Sequence, residues 1–245
     1  MYLIIDIGNT YSKVAVFLRN EILEIKRVII SEVYNLVQYL KTKYTSITHT
    51  LISSVKEIDS IFPKHFLDSV IQLTSKTGVP FKNNYKTPKT LGADRKALVG
   101  AAFYEFPDTN VLIIDSGSCI TYDFITDTGE YLGGGIAPGL QMRLKSLNNY
   151  TDKLPLLKVS NLTTTQIPLI GSSTETAIYS GSLQGAIFEI EGMITSFKRE
   201  YPTTKVILTG GDAIFLSKQL KSDIFVEPNF LLLGLNHLLN YTLQK

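Results

Sequence analysis

Two aspartates occupy matching places in this chain. Asp6 ends the apolar run of "MYLIIDIGNTYSKVAVF", and Asp115 ends that of "VLIIDSGSCITYDFI"; Leu3-Ile4-Ile5-Asp6-Ile7-Gly8 lies over Leu112-Ile113-Ile114-Asp115-Ser116-Gly117. An aspartate closing a buried strand, followed by a tight Gly-containing turn, sets a carboxylate beside backbone N–H groups that can face a phosphate. Two such units can hold a nucleotide between them. The carboxylates do not bind phosphate directly. Their use is to hold Mg²⁺ or its waters, so that the metal bridges the phosphate oxygens while the amides and Lys13 meet the anion. One such unit alone could equally be an aspartate capping a hairpin, and it is the repetition that favours the clamp. The chain has no G-x-x-x-x-G-K-[ST] and "GGGIAPG" lacks the G-x-G-x-x-G spacing, so neither a P-loop nor a Rossmann fingerprint is present.

A third carboxylate stands in "LGADRKA". Asp94 is placed where a helix starts, a position that favours an acid through the helix dipole alone. Its chemical reading is an acceptor for the proton of a substrate hydroxyl, with Arg95 beside it for an anionic group. From Lys82 to Lys96 there are five basic residues, and the one acid among them is Asp94. Such a bias suits a site for negatively charged ligands, although a solvated basic face would look the same. "GGGIAPG" (133–139) reads as a backbone device lining the site, with Pro138 fixing the entry to a helix. "TGGDA" (209–213) reads as a turn lying close to a purine ring.

The elements that position these residues follow from periodicity. Strands are expected at 2–7, 14–18 and 21–30, with Gly8-Asn9-Thr10 as the turn between the first two. The spacing of Val33, Leu36, Val37 and Leu40 predicts a helix from Ser31, its N-cap, to Tyr44. Further strands are expected at 50–53 and 70–73 around a helix, and the order argues for a mixed sheet covered by helices. Residues 78–89 form a basic loop, and a helix begins near Asp94 and ends before Pro107. In the second half the spacing predicts strands at 111–115, 121–125 and 205–209, a long helix over 174–198 and a last helix over 230–239. The repeat, offset by 109 residues, divides the chain into two domains, 1–107 and 108–245.

With 44% hydrophobic and 19% charged residues the composition is that of a folded protein with sizeable cores. A net charge of +2 lacks the basic excess expected of a nucleic-acid or anionic-membrane binder. No apolar run approaches the length of a membrane span, and no basic leader precedes the first strand, so the expected place is the cytoplasm. The single cysteine, Cys119, excludes an internal disulfide and a cysteine-based zinc site, and reads as a small buried residue.

"DIGNTYSK", "GADR", "DSGSCIT", "GGGIAPG" and "TDKLP", in that order and continued by "GSSTETAI" and "TGGDA", resemble the motifs of the type III pantothenate kinases, members of the acetate and sugar kinase/Hsp70/actin superfamily. The resemblance implies an α/β fold of two ribonuclease H-like domains, each a mixed sheet flanked by helices. It implies transfer of the ATP γ-phosphate to the primary hydroxyl of pantothenate, the first step of coenzyme A synthesis. Carried over by position, Asp6, Ile7, Gly8, Asn9, Thr10, Tyr11, Ser12 and Lys13 would form the ATP phosphate loop, with Ser118 also touching ATP. Asp94 would be the catalytic base. Tyr85, Gly92, Ala93, Asp94, Arg95 and Thr174 would bind pantothenate. Asp115 would hold a monovalent cation, K⁺ or ammonium, and Asp6 would meet Mg²⁺, directly or through water. The family also implies a homodimer. This chain departs from it in Ser118-Cys119, where Thr-Ala is usual, which bears on nucleotide affinity, and in Asp152, where a small residue is common. Two other readings remain: a kinase of the same superfamily acting on another small molecule, and a non-catalytic nucleotide-binding regulator or actin-like assembly protein, which would not need Asp94.

Overall fold

The apolar run that ends at Asp6 forms the central strand of a five-stranded sheet. In the computed structural model, which describes residues 1–9, 11–162 and 166–244, β1 (Tyr2–Ile7) pairs antiparallel with β2 (Tyr11–Leu18) and parallel with β4 (His49–Ser54). With β3 (Glu21–Ile29) and β5 (Ile71–Gln72) the order is β3-β2-β1-β4-β5. Thr10, expected in the turn, lies outside the described residues.

Side chains alternate across this sheet, and both faces are covered, which is why β1 reads as a continuous apolar run. Leu3, Ile5 and Ile7 join Val14 and Val16 of β2 in a core with Val33, Val37 and Leu40 of α1 (Val33–Lys43) and Phe66 of α2 (Lys64–Leu67). Ile4, Ala15 and Phe17 point the other way, into a core with Leu235, Leu238 and Leu239. Ser31 does not cap α1: residues 30–32 form a 3-10 turn and the cap position has no side-chain hydrogen bond. A two-residue strand β6 (Lys82–Asn83) interrupts the basic stretch, and α3 (Ala93–Glu105) follows it.

The second sheet repeats the plan of the first. β7 (Val111–Ser116) is antiparallel to β8 (Cys119–Ile125) and parallel to β10 (Lys205–Thr209). β9 (Glu130–Pro138) extends one side and β11 (Phe225–Val226) the other, giving β9-β8-β7-β10-β11, the same arrangement as β3-β2-β1-β4-β5. The written repeat is thus a duplicated fold. Its core packs Leu112, Ile114 and Ile120 against Leu140 and Leu144 of α4 (Leu140–Asn149) and against Ala186, Ile190 and Ile194 of α6 (Gly185–Glu200). The expected long helix is built of α5 (Thr174–Tyr179), a π turn over Ser180–Gln184, and α6. A short α7 (Ala213–Ser217) follows Gly210-Gly211-Asp212. Cys119, expected to be buried, is part-exposed.

"GGGIAPG" is strand and turn, and the glycines of its first half serve strand packing. A Cβ on Gly134 would stand 1.6 Å from the Tyr122 carbonyl oxygen, whereas one on Gly135 would only touch the Tyr122 ring, at 3.4 Å. Gly133 takes a positive φ of 105°.

The compact units differ from the division drawn from the repeat. One comprises Met1–Glu105 together with the stretch from Phe230 onward, and the other Phe106–Asn229. The last helix, α8 (Phe230–Leu243), packs on α3 of the first unit. Gly234 allows the approach, since a Cβ there would lie 1.9 Å from the Ala97 carbonyl oxygen. Periodicity makes α8 a buried helix, but it carries no signal for which sheet the helix covers.

Candidate functional site

In the first unit the β1–β2 hairpin is closed by Gly8, whose N–H donates to the Tyr11 carbonyl at 3.1 Å. A Cβ on Gly8 would sit 3.0 Å from that same oxygen. Asp6 and Lys13 are direct partners across the two strands, so their side chains share one face. Ile7 and Ser12, also direct partners, belong to the opposite face and are fully buried. Of the predicted phosphate loop, then, Asp6 and Lys13 offer side chains to this face, while Ile7 and Ser12 offer only backbone. Arg27 of β3, opposite Lys13, holds its guanidinium 4.0 Å over the Tyr11 ring and adds a cation that the sequence had not marked.

Asp94 lies in the first turn of α3 and is close enough to act electrostatically on Asp6. Burial pushes Asp6 up to about 6, Lys13 pulls it back, and Asp94 raises it further. Asp6 therefore feels one ammonium and one further carboxylate as well as its burial. Asp94 Oδ1 accepts from the Arg95 N–H at 2.8 Å. Gly92 makes room for this carboxylate, because a Cβ there would come within 2.3 Å of Oδ1. Arg95 is buried, with its guanidinium 5.4 Å over the Tyr85 ring, which ties Tyr85 to α3. Lys96, unmarked in the sequence reading, is buried as well and donates from Nζ to the carbonyls of Ser75 and Thr77. Burial lowers its pKa.

In the second unit Asp115, next to last in β7, lies between Thr121 of β8 and Thr209 of β10. The Thr121 hydroxyl is buried without a hydrogen-bond partner among the described residues. Gly210, at φ +96°, packs directly on this corner: a Cβ would stand 2.3 Å from both Asp115 Oδ1 and the Ser116 carbonyl oxygen. Asp212 is the carboxylate that the sequence reading missed in "TGGDA". Its N–H donates to the Ser116 carbonyl at 3.0 Å, and its Oδ2 accepts from the Ser116 hydroxyl at 3.4 Å. Burial raises its pKa, and the Ser116 bond lowers it in part.

Ser118 is exposed at the β7–β8 turn, and its carbonyl accepts from the Gly139 N–H at 3.2 Å. Thr174, exposed at the start of α5, lines a cavity of about 540 Å³ with Leu147, Leu154, Ala177, Ile178 and Gly181. Among the described residues no three His, Cys, Asp or Glu side chains form a metal-binding group.

The structure thus brings Asp6, Lys13 and Asp94 together in one unit, and Asp115, the Ser118 turn and Asp212 together in the other. The comparisons with known proteins agree with one another. The family profile described as type III pantothenate kinase matches residues 2–196. The type III pantothenate kinase of Christiangramia forsetii is 44% identical over 244 residues, covering 98% of each chain. That of Phocaeicola vulgatus is 42% identical over 245 residues, again covering 98% of each. Among solved structures, the activator of the 2-hydroxyisocaproyl-CoA dehydratase from Clostridium difficile, with bound ADPNP, superposes with a TM-score of 0.55 at 13% identity. That match covers 99% of this chain and 94% of the other, and at such identity it speaks for the fold alone.

Proposed function

The chain belongs to the type III pantothenate kinase family, and from that premise we propose that it transfers the γ-phosphate of ATP to the primary hydroxyl of pantothenate, the first step of coenzyme A synthesis. The observation that supports the site assignment is that Asp6 and Lys13 share one face of the first sheet, with Asp94 near enough to act on Asp6 electrostatically.

An ordinary aspartate, with a pKa near 3.9, is a poor base for an alcohol. Phosphoryl transfer relaxes the demand, because its transition state is loose and most of the rate comes from alignment and charge neutralisation. Asp94 orients the pantothenate hydroxyl and takes its proton late. Lys13, near the β1–β2 turn, binds the phosphates, and the Ser118 turn contacts the nucleotide. Tyr85, Gly92, Ala93, Arg95 and Thr174 bind pantothenate.

The residues present fit a divalent ion. Asp6 is a carboxylate on the same face as Lys13, and Mg²⁺ needs only one or two such ligands because it keeps waters and takes phosphate oxygens. When bound with ATP, Mg²⁺ neutralises charge on the transferring phosphate. Asp115 would hold the monovalent cation, K⁺ or ammonium, and the buried, unpartnered Thr121 hydroxyl opposite it is an oxygen donor of the type such an ion needs. A homodimer, implied by the family, is part of the same proposal, and its test is the mass of the protein in solution. No helix among the described residues is long and apolar enough to cross a membrane, and the proposed location is the cytoplasm.

The test is ADP release with MgATP, with and without pantothenate, in K⁺ and in Na⁺, on wild type and Asp94→Asn. Release that requires pantothenate, and a variant that turns over about 10²- to 10⁴-fold more slowly while binding ATP normally, are expected. Slow ATP hydrolysis indifferent to pantothenate would favour a nucleotide-binding regulator, and an Asp94→Asn variant that kept most of its activity would remove Asp94 from the chemistry.

A further inference from the structure

Arg143 lies in the first turn of α4 and makes two bonds that reach away from its helix. Its Nε donates to the carbonyl of Pro138, the last residue of β9, at 2.9 Å. Its guanidinium also reaches Glu189 Oε2 of α6 at 2.7 Å. The other Glu189 oxygen accepts from the Tyr122 hydroxyl of β8 at 3.0 Å. One fork therefore joins the end of a strand to a neighbouring helix, and a second strand completes the chain. The Arg143 and Glu189 side chains are 20% and 34% exposed, so the pair is partly sheltered from water.

What Arg143 grips is one peptide away from the predicted nucleotide turn. Gly139 follows Pro138, donates to the Ser118 carbonyl at 3.2 Å, and lies so close that a Cβ would be 2.1 Å from the Gly117 carbonyl oxygen and 2.6 Å from that of Ser118. There is no slack between the gripped carbonyl and the turn. An exposed ion pair adds little to stability, but a guanidinium bonded at once to a backbone carbonyl and a carboxylate fixes geometry that Lys or a hydrocarbon would not reproduce.

We infer that Arg143, held in turn by Glu189 and Tyr122, is a positioning residue that sets where the Gly117–Ser118 turn presents itself to the nucleotide. It governs MgATP affinity through a turn that its own side chain does not touch. The inference rests on the reading of Ser118 as a nucleotide contact.

The experiment measures MgATP binding by calorimetry, steady-state KM for both substrates, and hydrogen exchange over residues 116–120, for wild type, Arg143→Met, Arg143→Lys, Glu189→Gln, Ser118→Ala and Arg143→Met with Ser118→Ala. Arg143→Met is expected to weaken MgATP about tenfold, the effect of one charge-assisted hydrogen bond, with the pantothenate KM unchanged. Arg143→Lys should recover part of the loss, and Glu189→Gln, which keeps an acceptor for Tyr122, should lose about threefold. The double variant should be no worse than the weaker single one, because both changes act on one turn. Exchange at 116–120 should quicken in Arg143→Met without any ligand. Multiplicative losses, or a fall in melting temperature with both KM values rising together, would overturn the inference. A wild-type protein that bound no MgATP would overturn the kinase reading and the nucleotide role of Arg143 with it. That outcome is told apart from failure of the strut, since the exchange difference would persist.

Discussion

Asp6→Asn separates what this carboxylate takes from the fold and what it supplies to the site. Burial and the nearby Asp94 raise its pKa from 3.8 to about 6, against the opposing pull of Lys13. A rise of this size corresponds to about 3 kcal/mol of net penalty once the group is ionised in both the folded and the unfolded chain. Asp6 keeps some solvent contact, so we take about half, ~1.5 kcal/mol. The folded pKa lies above the unfolded one, so the penalty is complete above about pH 6 and disappears as the pH falls through 6 to below 4. Asparagine has the same shape without the charge. At pH 7.5 the unliganded variant should therefore melt about 3–6 °C above wild type, and the gap should close on the way to pH 4. MgATP affinity should fall at least about tenfold if Asp6 meets the metal as proposed. Thermal melting at steps from pH 4 to 8, paired with calorimetric titration of MgATP, reads both effects. A variant that melted below wild type at pH 7.5, or a gap that did not change with pH, would refute the assignment of burial as the dominant influence on Asp6. The expected pairing of a firmer fold with a weaker site is the usual exchange between stability and activity.

Two further outcomes follow from the packing. Gly234→Ala places a Cβ 1.9 Å from the Ala97 carbonyl oxygen and must push α8 off α3, which should destabilise the protein by about 2 kcal/mol and show as a lower denaturation midpoint in urea. Thr121→Val removes a buried hydroxyl that has no partner among the described residues, so the melting temperature in Na⁺ buffer should hold or rise. If that oxygen serves a cation at Asp115, K⁺ should raise the melting temperature of wild type more than that of the variant; an equal response would remove Thr121 from that site.

Much of the fold is written locally. The apolar runs before Asp6 and Asp115 have the length and continuity of strands buried on both faces, and their repetition announces two sheets of one plan. The helix at Asp94 is legible from the change of period after a proline-rich basic stretch. Chemistry is legible where residue type and turn coincide, as at Asp6-Ile7-Gly8 and "GADR". Other features depend on neighbours remote in sequence. In "GGGIAPG" Gly134 is cleared for the Tyr122 carbonyl and Gly139 for the Gly117–Ser118 turn, a division the sequence does not show because glycines cleared for different neighbours are written alike. Alternation alone could have separated Ser12 from Lys13, whereas Asp212 needed the fold to bring it to Ser116.

What the sequence determined by itself is the pair of strand–turn–strand units, with their aspartates, and the family that carries them, since these rest on residues within a few positions of each other. Only the tertiary structure decided that α8 completes the first unit, that burial burdens Asp6, and that Arg143 stands behind the Ser118 turn. Those results come from burial and from contacts across long stretches of chain, and no local pattern of side chains encodes them.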